Sequence, residues 1–113
     1  MQQTDIQQTD IQWSETEKSI ALDALKKAYS QEVEALLKTI RESASAVALI
    51  EDAWRLHDFL SAKRHEIDGR YDDREAFLLF TLSQLVKDGL LDIAELTGLA
   101  KEKQAKVRVL SRM

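Results

Sequence analysis

The 113-residue chain is long enough for one domain with a small core and not comfortably for two. It has no cysteine, no proline and only three glycines, which excludes a disulfide scaffold, a thiolate zinc site and a cysteine nucleophile, and argues against turn-rich β folds. A net charge of −4 argues against a general nucleic-acid binder, while 44% hydrophobic and 32% charged residues are globular proportions.

Residues 2–11 are a duplication, QQTDI followed by QQTDI. The unit is polar and too short to be a solenoid repeat. The expectation is a flexible polar tail over residues 1–12 and a single helical domain over 13–113. The start has neither a basic n-region nor a hydrophobic h-region, so no signal peptide is expected. The longest apolar run, FLLFTL at 77–82, is far below the ~18 residues of a membrane span. The expected location is therefore cytoplasmic, without membrane insertion.

Order is expected to begin at Trp13. Ser14 and Glu17 have the spacing of a capping box. Leu22, Leu25, Tyr29, Val33, Leu36 and Ile40 then recur at steps of three or four, a helical stripe from residue 15 to about 41 or beyond. Such a helix far exceeds the ~11–12-residue mean and overshoots the core of so small a protein. Its spare apolar length predicts a homodimer, with Leu36, Leu37 and Ile40 as contacts. Ser43 and Ser45 weaken the pattern, and a second helix is predicted from about 46 to 67, ending at Gly69 as a C′ glycine. Asp72 and Glu75 repeat the capping spacing before a third helix. That helix is apolar nearly all round at 76–82, so a central place is expected. Asp92 and Glu95 open a fourth helix carrying Ile93, Leu96, Ala100, Val107 and Leu110, with Gly98 inside it. The fold class is all-α, with a long first helix.

The chemistry-bearing residues concentrate on the second helix: Trp54, His57, Asp58, Ser61, Arg64 and His65. At about 100° per residue they share an arc of roughly 120°. Leu49, Ala53, Leu56, Leu60 and Ile67 occupy the adjoining arc and read as the helix's own core stripe. Trp and Arg dominate interface hot spots, so the first arc has the make-up of a protein-recognition face. The plainer alternative is that Trp54 plugs the core and Asp58 pairs with Arg64 or a base on a neighbouring helix. Residues 101–113 carry Lys101, Lys103, Lys106, Arg108 and Arg112 against Glu102, a local charge of +4 that leaves the rest at −8. This end suits an acidic partner surface, or simply complements a helix dipole.

An enzymatic reading is weaker. His57 and Asp58 could form an acid–base pair, but no nucleophile elbow and no glycine-rich phosphate loop is present. His57 and His65 stand eight residues apart, about 12 Å along a helix, too far to share one metal ion. The run 68–73 is not a calcium loop, because Arg70 stands at a ligand position. No cofactor is expected. A helix-turn-helix reader would need a basic second helix; the third helix is instead apolar and the fourth basic only at its end, so no nucleic-acid partner is expected.

The run at residues 54–74, WRLHDFLSAKRHEIDGRYDDR, closely resembles the signature of the cyanobacterial fluorescence recovery protein family. The resemblance extends more loosely from Trp13 to about Leu110. It implies an all-helical dimer, with long helices forming a stem and smaller heads beside it, and no enzymatic activity. It implies binding to the photoactivated red form of the orange carotenoid protein, mainly through that protein's C-terminal domain. Faster return to the orange form, release from the phycobilisome at the thylakoid surface and the end of energy quenching follow. The family's active surface maps onto Trp54, His57, Asp58 and Arg64, with Phe80 and Lys106 as further partner contacts. The competing readings are a helical dimeric adaptor unrelated to photoprotection and a nucleic-acid-associated regulator.

Overall fold

The computed structural model describes residues 12–113. The duplicated segment at 2–11, and with it all but Gln12 of the expected tail, lies outside them. Among the described residues the chain forms α1 (Glu15–Ser45), α2 (Ile50–Asp68), α3 (Glu75–Lys87), a short 3-10 turn (Ile93–Leu96) and α4 (Lys101–Ser111). None of these helices is long and apolar enough to cross a membrane.

Helix α1 starts where the capping box places it. Ser14 Oγ accepts from the Glu17 amide at 3.1 Å, and the Glu17 carboxylate accepts from the Ser14 amide at 3.2 Å. With 31 residues the helix spans about 46 Å. Its buried residues are Ala21, Ala24, Leu25, Ala28 and Glu32, and none follows Glu32. The first half of α1 therefore belongs to a packed head, and the second half extends beyond it as an arm. The core of the head joins Ala21, Ala24, Leu25 and Ala28 of α1 and Trp13 to Leu78, Leu79, Leu82 and Leu85 of α3, Leu91, Leu96, Leu99, and Val107 of α4. The alanines let α1 approach its neighbours closely. The leucines of α3 fill the centre, as its apolar run predicts, while Phe77 and Phe80 stay exposed.

Polar contacts fasten the head. Glu17 also accepts from the Ala100 amide at 2.8 Å and from Lys103 Nζ at 3.1 Å. It thus caps α1 and α4 together, and these contacts, the Ala100 amide foremost, hold its carboxyl below the usual range. Lys18 pairs with Glu75 at 3.1 Å and Lys27 with Glu95 at 3.3 Å, tying α1 to α3 and to the 3-10 turn.

Four local expectations are corrected. The second helix starts at Ile50, not near residue 46, because Asp52 Oδ2 accepts from the amides of both Ala48 and Leu49 at 3.0 Å and fixes its N-terminus there. Gly69 ends α2 with a right-handed φ of −92°, so it is not a left-handed C′ glycine; Gly89, at φ +78°, has that conformation after α3. Asp72 does not cap α3: it accepts from the amide and guanidinium of Arg74, and the helix begins at Glu75. The expected fourth helix is split, because the chain turns at Thr97 and Gly98, where a Cβ would lie 2.4 Å from Ile20 Cδ1.

Candidate functional site

Helix α2 returns antiparallel along the arm of α1, as the Lys63–Glu32 approach of 3.8 Å near the head end and the cleft shared by Thr39, Ser43, Leu56 and Phe59 show. None of its residues is buried. This overturns the expected core stripe: Leu49 is exposed, and Ala53, Leu56, Leu60 and Ile67 are only half-covered. Amphipathic spacing identified the face correctly, but one chain supplies too little surface to cover it.

Trp54 is 61% exposed, so it does not plug the core of the chain. His57 and Asp58 are also open, with Nδ1 and Oδ1 3.2 Å apart. Arg64 pairs with Asp68, Nε to Oδ2 3.8 Å, and not with Asp58. The four residues thus share one exposed helix, and their ion pairs stay within it. Loose ion pairs in water cost little to exchange for a partner's groups.

Phe80 lies on α3, 56% exposed. It faces the arm across a groove of about 1040 Å³, with Phe59 of α2 and Leu36 of α1 on the far side. Trp54, His57, Asp58 and Arg64 do not line this groove. Lys106 is exposed on α4, and Lys103 is drawn into the contact with Glu17. The basic end is therefore one lysine poorer as a docking surface than the sequence suggests. On α1, Leu37 is 46% exposed while Leu36 and Ile40 are half-buried. With Val47, Leu49 and Ile50 they leave the arm tip apolar and uncovered in a single chain.

Sequence reasoning missed the junction between arm and head. Glu32, only 5% exposed, accepts from the Tyr71 hydroxyl at 2.7 Å and has Arg70 Nε at 3.3 Å. Burial and Glu32 push the Tyr71 phenol well above its ordinary value. The Tyr71 ring meets Tyr29 edge-on, centroids 5.3 Å apart. The available signal was a glutamate two helical turns beyond Leu25, in register with the head-facing side of α1.

No group of three or more His, Asp or Glu side chains among the described residues is placed to hold a metal ion. Fold and surface together define an all-helical protein with a packed head and an exposed polar–aromatic arm. The profile of the family described as "Photoprotection regulator fluorescence recovery protein" matches residues 13–111. The chain is 47% identical over 108 residues to the fluorescence recovery protein of Synechocystis sp. PCC 6803, covering 96% of this chain and 99% of that protein. The solved Synechocystis structure superposes with a TM-score of 0.88 at 49% identity, over 90% of this chain and 100% of that one. The Fremyella diplosiphon fluorescence recovery protein gives 0.89 at 47% identity, with the same coverage. The chain belongs to the fluorescence recovery protein family, a family of photoprotection regulators.

Proposed function

We propose that the protein binds the photoactivated orange carotenoid protein, mainly its C-terminal domain, speeds its red-to-orange reversion and helps release it from the phycobilisome. Membership of a photoprotection-regulator family supports this reading. The single structural observation that carries it is the open face of α2, with Trp54 61% exposed beside His57, Asp58 and Arg64. An exposed Trp among loosely paired polar neighbours is a ready hot spot. Phe80 and Lys106 extend the contact onto the head. The working unit is a homodimer joined along the arm through Leu36, Leu37 and Ile40. It acts in the cytoplasm, at phycobilisomes on the thylakoid surface, and residues 13–113 work as one domain behind the tail.

No reactive side chain is required. A relaxation is accelerated when the binder holds an intermediate of the return path more tightly than the red starting form. A tenfold gain requires only about 1.4 kcal/mol of such preference. The test is the absorbance decay of photoactivated orange carotenoid protein in the dark, with and without this protein. Concentration-dependent acceleration that saturates is the expected result. An unchanged decay, with no complex retained on the red form, overturns the proposal and leaves an adaptor of other partners.

A further inference from the structure

The contacts of α2 with the rest of the chain are sparse in a particular way. The helix buries none of its residues. Among the described residues, the ion pairs that leave it run to two places: Lys63 to Glu32, and Glu66 to Arg70. Arg70 is itself 11% exposed in its side chain and reaches three helices at once. Its Nε lies 3.3 Å from Glu32 Oε1 of α1, one terminal nitrogen pairs with Glu66 of α2, and the other lies 2.5 Å from Asp88 Oδ2 at the end of α3.

Arg70 lies directly after the α2 C-cap, Gly69, and also lines the groove between Phe59 on the arm and Phe77 and Phe80 on the head. The two terminal nitrogens of the planar guanidinium hydrogen-bond the carboxylates of Asp88 and Glu66 in fixed directions, while Nε faces Glu32 by charge alone; a lysine ammonium on a flexible stem cannot hold two carboxylates at set angles beside a third. Burial of Glu32 strengthens the pairing and penalises its loss.

We infer that Arg70, seated on Glu32, is a positioning residue that holds the recognition face of α2 in fixed register with the Phe80-bearing head, so that both meet one partner surface together. The inference rests on the functional reading above. Two patches on separate bodies bind as one surface only if their separation is set in advance; otherwise the partner must order them on binding. No contact of Arg70 with the partner is needed.

The experiment uses the full-length protein in three forms: unmodified, Glu32→Gln/Arg70→Gln, and Arg70→Lys. The double variant removes both charges, so no buried charge is left alone; Arg70→Lys keeps the charge and loses the fork. The absence of cysteine allows spin labels at Ser61→Cys on α2 and Ala76→Cys on α3, both exposed, with labelled chains diluted into unlabelled ones. A narrow label–label distance is expected in the otherwise unmodified protein and a broadened one in both variants, at similar helix content. The concentration giving half-maximal acceleration should rise at least about fivefold in both. A merely structural role predicts a lowered melt that Arg70→Lys restores together with full acceleration. Restored acceleration in Arg70→Lys, or an unchanged distance distribution in both variants, overturns the inference. Should the double variant not fold, Arg70→Lys alone decides. If the unmodified protein accelerates nothing, the functional reading fails and the positioning role falls with it; the distances then show separately whether Arg70 holds the arm.

Discussion

At the scale of single residues, two positions give measurable stability predictions. Gly89 adopts φ +78°, a conformation that costs an L side chain roughly 1 kcal/mol or more. A Cβ there meets nothing within 4 Å, so the cost is purely conformational. Gly89→Ala should lower the denaturation free energy by about 1 kcal/mol with unchanged helix content; an equal or higher stability would contradict the assigned turn. The Glu17 carboxylate accepts from the Ser14 amide at the start of α1 and from the Ala100 amide at the start of α4, so Glu17→Ala should cost about 1–2 kcal/mol, read by chemical denaturation. The acid response follows from the same kind of group. The Arg74 guanidinium and amide hold Asp72 down to about 2, and Glu17, Asp52 and Glu66 are also lowered. Depressed carboxyls contribute stability that is complete above their unfolded values and is lost as pH falls through the folded ones. Stability should therefore decline from about pH 4 toward about pH 2, and a flat profile there would remove these pairs from the account.

At the scale of elements, α1 divides into a half that packs and a half that does not. Buried residues stop at Glu32, and the apolar side chains Leu37, Val47, Leu49 and Ile50 beyond it are exposed. A second copy covering this arm is the economical way to remove them from water. Leu37→Glu places a charge in the proposed seam, where an unpaired buried charge would cost several kcal/mol. Sedimentation should show the unmodified protein as a dimer and the variant as a folded monomer at tens of micromolar, an order-of-magnitude concentration set by mass action. A monomeric unmodified protein at that concentration would contradict the proposed assembly.

Much of this architecture is legible in the sequence, because caps and 3.6-residue periodicity are local. The Ser14–Glu17 box, the overlong first helix and the central leucines of α3 all stand where pattern places them. Some failures are local, as at Asp72, whose carboxylate accepts from Arg74 instead of capping α3; the larger ones are tertiary. Periodicity picked Leu22 and Tyr29 as stripe residues on α1, but both are exposed, and Ala21, Ala24 and Ala28 face the head instead. Small residues win where backbones approach closely, and hydrophobicity alone cannot show that. Gly98, at the split, packs against Ile20, nearly eighty positions away in the chain, and no local pattern shows that contact. Arg70 was legible only as a misfit in a calcium loop, because its partners Glu32, Glu66 and Asp88 come from α1, from α2 and from just past the end of α3.

For the whole molecule, the function proposed above needs a surface and no reactive group. The open face of α2 and the family's regulatory character both favour it. The most direct measurement is the dark relaxation of photoactivated orange carotenoid protein with Trp54→Leu, Asp58→Ala and Arg64→Leu, each paired with a thermal melt. All three side chains are exposed in the chain, so helix content and melting should stay near those of the unmodified protein. Acceleration should fall by roughly 1–3 kcal/mol of transition-state stabilisation in each, the usual range for interface anchors. Full acceleration by all three variants, or a loss that only tracks a lowered melting temperature, would contradict the account.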